Sequence, residues 1–140
     1  MESSVTPQKG NSMKIVYLIA RLLLGLLFLV FGLNGFLQFI PMGPVPTGLA
    51  GQFVVALMLS HYMHFVSALQ LVAGLLLLLN RYVALAVAIL APIIVNIALF
   101  HTLMAPSGLP LAIVALVLWV VVASQARSAF RGLLEQRLPV

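Results

Sequence analysis

At 140 residues the chain has room for one domain by the usual length prior, and its composition decides which kind. Hydrophobic residues make up 64%, charged residues 6%, and mean hydropathy is +1.23. A soluble domain carries about 25% charge, so a water-soluble globule and a disordered chain are both excluded. The formal net charge of +5 comes from only seven basic side chains, placed mainly at the ends of apolar segments, which does not point to nucleic acid. There are no cysteines, which removes disulfide exchange, thiolate catalysis, iron–sulfur clusters and Cys-ligated zinc.

The elements follow in chain order. Residues 1–12 are polar, without apolar periodicity, and are expected to form a disordered cytoplasmic leader. From Met13 to Ile40 the chain is almost unbroken hydrocarbon, ~42 Å of helix at ~1.5 Å per residue, enough for a core of ~30 Å. That run is far longer than the apolar region of a cleaved signal peptide, about 7–15 residues. Pro41, Gly43, Pro44, Pro46, Gly48 and Gly51 then make a non-helical connection. The stretch from Gln52 to Leu79 is too long for one perpendicular span. Ser60, His61, Tyr62 and His64 divide it into a short outer helix and a span at 61–79, with a single tilted helix as the alternative. Asn80-Arg81-Tyr82 punctuates the chain before a third span at 82–103, which contains Pro92. The turn Ala105-Pro106-Ser107-Gly108 precedes a fourth span at 109–124. The expectation is an all-α fold: an integral membrane four-transmembrane-helix bundle over residues 13–126.

Charge sets the orientation. Lys9 and Lys14 precede span 1, Arg81 lies between spans 2 and 3, and Arg127, Arg131 and Arg137 follow span 4. An even number of crossings puts all of them on one side, and the opposite loops, 41–60 and 104–108, carry no charge. The positive-inside rule then places both termini in the cytoplasm of a cell inner (plasma) membrane. Tyr17 and Tyr82 fall at the same interface, where amphipathic rings settle. Arg21 sits two turns into span 1. It either snorkels back toward lipid headgroups or takes an internal partner, a carbonyl or a bound anionic headgroup. In the tail, 127–140, Arg127, Arg131 and Glu135 form one α-helical stripe with Phe130, Leu133, Leu134 and Leu138 largely opposite. This reads as an amphipathic helix with Arg127 and Arg131 on headgroups, or as a continuation of span 4 into water.

In lipid, small residues mark the faces where helices approach. Span 1 carries Arg21, Gly25, Phe28, Gly32, Gly35 and Phe39 at alternating steps of four and three; span 3 carries Ala84, Ala88, Ala91, Val95, Ala98 and Thr102. Each stripe is expected to be buried in the bundle.

Polar side chains within the spans are few, and hydrocarbon offers them no water, so they should face inward. Asn34, Gln38, Gln70, Asn96 and His101 are the candidates for a pocket opening outward, against the alternative that they only fix helix packing. His61 or His64 with His101 could lie at one depth, but ligand identity alone supports haem, which is disfavoured, and a metal site would lack any carboxylate partner. There is no Asp, neither Glu lies in a span, and no serine has a carboxylate-oriented histidine beside it. Proton pumping and triad hydrolysis are therefore disfavoured, and the chain reads as no enzyme on its own.

The run from Arg21 through Gly25, Phe28, Phe31, Gly32, Asn34 and Gly35 to Phe36 resembles the first span of the DoxX-like family of small four-helix membrane proteins. The Pro-rich connection, Ser60-His61-Tyr62, Asn80-Arg81-Tyr82 and the segment from Pro92 to Pro110 are similar to that family as well. Some relatives carry a lysine where this chain has Gly35. The resemblance implies an accessory or quinone-associated subunit of a membrane redox system, with quinone as the cofactor to consider. Partners would be the lipid bilayer, other membrane redox subunits or a second copy. A structural or assembly module without a ligand is the competing reading. An oligomeric small-solute transporter ranks last, because the chain is short for a repeat pair.

Overall fold

The computed structural model describes residues 9–41 and 43–134. Helix is the regular secondary structure of those residues, with no strand among them. Helices α1 (Lys9–Leu37), α2 (Gly48–Leu59), α3 (Tyr62–Leu78), α4 (Val83–Leu103) and α5 (Leu109–Ala126) follow one another. A short 3₁₀ turn lies at Pro106–Gly108, and a 3₁₀ segment at Arg127–Leu134. Lys9–Ser12, expected in the leader, already belong to α1. The short connections from α3 to α4 and from α4 to α5 reverse the chain, so those neighbours run antiparallel. α1, α3, α4 and α5 close a ring in which each packs on the next and α5 returns to α1.

The α1–α3 pair is the tightest contact, and glycine makes it possible. A methyl group on Gly74 would lie 2.7 Å from the Leu29 backbone nitrogen and 2.8 Å from the Gly25 carbonyl oxygen. On Gly32 it would lie 2.8 Å from the Leu71 nitrogen and 2.9 Å from the Ser67 carbonyl oxygen. At Gly35 it would overlap the Ser67 side chain. The two backbones therefore touch, with no side-chain layer between them. The stripe of α1 is buried from Arg21 through Gly32, while Phe39 lies beyond the helix end and is exposed. Leu24 and Phe28 continue this seam into a core shared with Leu77, Val87, Leu90, Ile94 and Val122.

The stripe of α4 behaves differently from the expectation. The face turned to the core carries Ala86, Val87, Leu90, Ile93 and Ile94. Ala88, Val95 and Thr102 are exposed, and Ala84, Ala91 and Ala98 are half-buried. The core needs side-chain volume there, because α4 meets its neighbours at ordinary distance and alanines would leave voids.

The break expected near Ser60 falls at Ser60-His61, where α2 and α3 meet at 80°. Ser60 Oγ donates to the Leu57 carbonyl (3.3 Å) and accepts from the Tyr62 backbone N–H (3.3 Å), so its hydroxyl closes the end of α2. His61 takes the left-handed conformation (φ 58°) that turns the chain. α2 then leans toward α4, and Phe53 stacks on Phe100 with ring centroids 5.7 Å apart. At the other end, α3 closes with the Asn80 N–H donating to the Leu77 carbonyl and the Arg81 N–H to the Leu76 carbonyl (3.2 and 3.0 Å). This is the Schellman arrangement, with Asn80 left-handed at φ 54°.

Three helical stretches are long and apolar enough to cross a membrane: Gly10–Leu37, Val83–Leu103 and Pro106–Arg131, with mean hydropathies of 2.5, 2.7 and 2.3. The bent pair Gly48–Leu59 and Tyr62–Leu78 supplies a fourth when counted as one broken span. The Gly32 contact makes a direct prediction. Gly32→Ile forces backbones apart and should destabilise by roughly 1–3 kcal/mol or more, whereas Leu24→Ile keeps volume and should cost under ~1.5 kcal/mol. Thermal melts of both variants in detergent should therefore separate them clearly; equal melting would contradict the glycine seam.

Candidate functional site

Arg21 is the most unusual polar residue in the fold. It is 6% exposed, on the inward face of α1, and its Nη1 donates to the Leu77 carbonyl and, at 3.4 Å, to the Leu78 carbonyl. The Schellman bonds engage Leu76 and Leu77 but leave the Leu78 carbonyl to another donor. A guanidinium at a helix C-terminus also meets the negative end of the helix dipole. Of the two readings of Arg21, the geometry shows the internal one: the side chain turns into the α1–α3 seam and does not extend outward. Its Nε is buried and has no hydrogen-bond partner. The sequence signal for this placement was present. Arg21 heads the same four-and-three stripe as Gly25 and Gly32, which is the buried one.

Of the amides expected to line a common pocket, Asn34 and Asn96 bond to backbone within their own segments. Asn34 Oδ1 accepts the Ile40 backbone N–H at 2.7 Å, tying down the chain that leaves α1. Gln38 is exposed and left-handed at φ 50°, with its N–H donating to the Asn34 carbonyl (2.9 Å). Asn96 is exposed, and its Nδ2 donates to the Pro92 carbonyl one turn back in its own helix, at 2.9 Å. It therefore points away from the bundle interior, where the expected pocket would have needed it. Gln70 is half-buried on α3, with no side-chain hydrogen bond among the described residues. Two apolar surface grooves contain none of these residues. One, about 280 Å³, runs over Leu23, Leu26, Leu27, Val30 and Phe31 of α1. The other, about 210 Å³, lies among Val87, Ala88, Ala91, Trp119, Ala123 and Phe130. Both linings are hydrocarbon.

Trp119 is a polar contact that the sequence reading missed. Its Nε1 donates to the Val87 carbonyl at 3.0 Å, locking α5 onto α4 beside the groove that Phe130 closes. A lone tryptophan late in an apolar span was the available signal.

The histidines fall into two places. His61 and His64 sit at the α2–α3 elbow with ring centroids 5.4 Å apart, both exposed, and His64 meets the edge of Phe36 at 5.5 Å. His101 belongs to the turn between α4 and α5. Its Nδ1–H donates to the Ala105 carbonyl at 2.9 Å, and its ring lies where a methyl group on Gly108 would stand. Among the described residues no cluster of three His, Asp or Glu side chains gathers.

The tail departs from the expected α-helical stripe. Arg127–Leu134 is 3₁₀, so at about three residues per turn Arg127 and Arg131 diverge by about 120° instead of the ~40° of an α-helix. Both are exposed, while Phe130 packs half-buried against the core. Glu135, Arg137 and Leu138 lie outside the described residues, so the headgroup role of this segment rests on Arg127 and Arg131.

No protein-family model, curated protein or solved structure matches the chain. The turn at His101 yields the test for this region. Gly108→Ala should displace the imidazole and lose the Ala105 bond, destabilising by about 1–3 kcal/mol. In a His101→Ala background the same change should cost far less, and a thermal double-mutant cycle measures the difference.

Proposed function

We propose that the chain is an integral membrane protein with four crossings, the bent pair α2–α3 forming one of them. In this reading it sits in a bacterial inner membrane with both termini cytoplasmic, and serves as a non-enzymatic accessory or assembly subunit. The observation that carries the membrane reading is the surface of the ring. Leu22, Leu23 and Leu26 of α1, Leu85, Val95 and Leu99 of α4, and Ile113, Val114, Val117 and Val120 of α5 are all exposed. Water would make each of those surfaces costly, whereas lipid makes them neutral. The antiparallel order supports the orientation: Lys14, Arg21, Arg81, Arg127 and Arg131 share one end, and the end with α2 has no charge among its described residues.

Length explains α2. Helix α3 has 17 residues, about 25 Å, and falls short of a ~30 Å hydrocarbon core. If Arg81 marks one interface, the elbow at His61 lies inside the opposite leaflet. A helix at that depth should be largely apolar, and apart from the exposed Gln52 α2 is: Leu49, Phe53, Val55 and Leu59 are exposed around it.

The accessory role follows from what the interior lacks and the exterior offers. The described grooves hold no reacting group, while the α4 face carrying Ala88 is turned away from its own core, where small residues admit a neighbouring helix. The DoxX-like resemblance points the same way, to a subunit in a membrane redox system. Gln70 favours a quinone-associated version of that role, because it is a half-buried amide left free to bond a carbonyl.

Purification of the full chain with native lipids tests this reading. Gln70→Leu should melt within about 1 kcal/mol of the wild type, since no bond within the protein is lost. Quinone enriched in the wild type and lost in Gln70→Leu supports the redox association. No enrichment over an unrelated four-helix membrane protein removes quinone and leaves the assembly reading. A wild-type chain that runs as a bare monomer in native-lipid particles would contradict the accessory role.

A further inference from the structure

We propose that Arg21 anchors an oxyanion site at the cation-bearing end of the bundle. It would take a phosphate-class group on the guanidinium edge to which the protein offers no acceptor. Nη1 is engaged by the Leu77 and Leu78 carbonyls. Nε is buried without a partner, and Nη2 makes no hydrogen bond among the described residues. Nε–H and Nη2–H project in parallel from one edge of the planar group, spaced to meet two oxygens of a phosphate or similar anion. The fold thus holds the guanidinium by one corner and leaves its bidentate edge without a protein acceptor.

Charge leads to the same conclusion. The only two acids of the chain, Glu2 and Glu135, lie outside the described residues, so no carboxylate among those residues offsets Arg21. The end of α3 contributes about half a negative charge, which leaves roughly half of the cation uncompensated in a desolvated position. An anion there would gain a charge-assisted pair and relieve that imbalance. Position makes it reachable. Arg21 meets the last residues of α3, directly before the Asn80-Arg81-Tyr82 turn, so it lies at the level where the chain reverses. The exposed Arg81 follows at the same end.

Two sources supply such a group: the headgroup of an anionic phospholipid, or free phosphate from the aqueous side. The lipid source rests on the membrane reading above; the phosphate source does not. The test uses the purified full chain in nanodiscs of phosphatidylcholine, with phosphatidylglycerol added in one arm and inorganic phosphate in the other. Thermal melting and native mass spectrometry are the readouts. Wild type should gain stability in one arm and retain that ligand roughly tenfold better than Arg21→Lys, which keeps the charge but loses the fork. Lys14→Gln, which removes an exposed cation at the same end, should retain it as wild type does.

Should Arg21→Lys fail to fold, ¹⁵N-arginine spectra of the wild type replace it. The slowly exchanging Nε–H of the buried arginine should shift as the effective anion is titrated. Selective retention with phosphatidylglycerol identifies the lipid, and a response to phosphate alone identifies the free anion. No stabilisation in either arm overturns the site, even if the chain is inserted in the bilayer. So does an unshifted Nε–H, or a loss in Lys14→Gln equal to that in Arg21→Lys, which would mark a diffuse surface-charge effect.

Discussion

The approach of α1 to α3 is the contact on which the other elements depend. Gly25, Gly32 and Gly74 remove the side-chain layer between two backbones, and Gly35 admits the Ser67 side chain. Helices drawn that close gain dispersion along their whole seam, the term that matters most when hydrocarbon surrounds the bundle and hydrophobic exclusion is weak. The same closeness brings Arg21 within reach of the end of α3, where carbonyls beyond the Schellman bonds still need donors. A glycine seam and a buried cation are thus one device. The glycines set the distance, and the arginine closes the helix end that the distance exposes.

The remaining helices fasten to this pair by side chains. Leu24, Leu77, Leu90, Ile94 and Val122 fill the centre, and Trp119 reaches from α5 to the Val87 carbonyl of α4. The two ends of the ring are finished differently. At one, cations gather around the Schellman turn at Asn80. At the other, Ser60 and His61 fold the chain through 80°, α2 leans over toward Phe100, and Asn34 and His101 bond the backbone that leaves their helices. The polar side chains at that end complete turns.

Much of this was legible in the residues. Long apolar runs and Pro- and Gly-rich breaks give the all-helical fold and the rough bounds of its helices, because segment length is a local property. The Ser60-His61 break was readable for the same reason. What was not legible concerns faces. The alanines of α4 have the same spacing as the glycines of α1, yet α4 turns its larger residues inward, since only full-volume side chains fill a gap at ordinary helix separation. Asn96 looks like an interior amide until Pro92 supplies a carbonyl one turn away. The shift of Arg127–Leu134 to 3₁₀ has no signature in the pattern of charges. Arg21 could have been placed inward from its register with Gly25, but the acceptor at Leu78 appears only once α3 is capped.

The reading as a whole stands on the chain crossing a bilayer an even number of times with its basic end inside. Because the natural sequence has no cysteine, single cysteines can report this directly. Ser12→Cys, Ser107→Cys and Ser128→Cys each change an exposed position. In intact bacterial cells a membrane-impermeant maleimide should label Ser107→Cys alone, with Ser12→Cys and Ser128→Cys labelled only after the membrane is opened. Labelling of Ser12→Cys and Ser128→Cys on opposite sides, or equal labelling of all three in sealed cells, would contradict it.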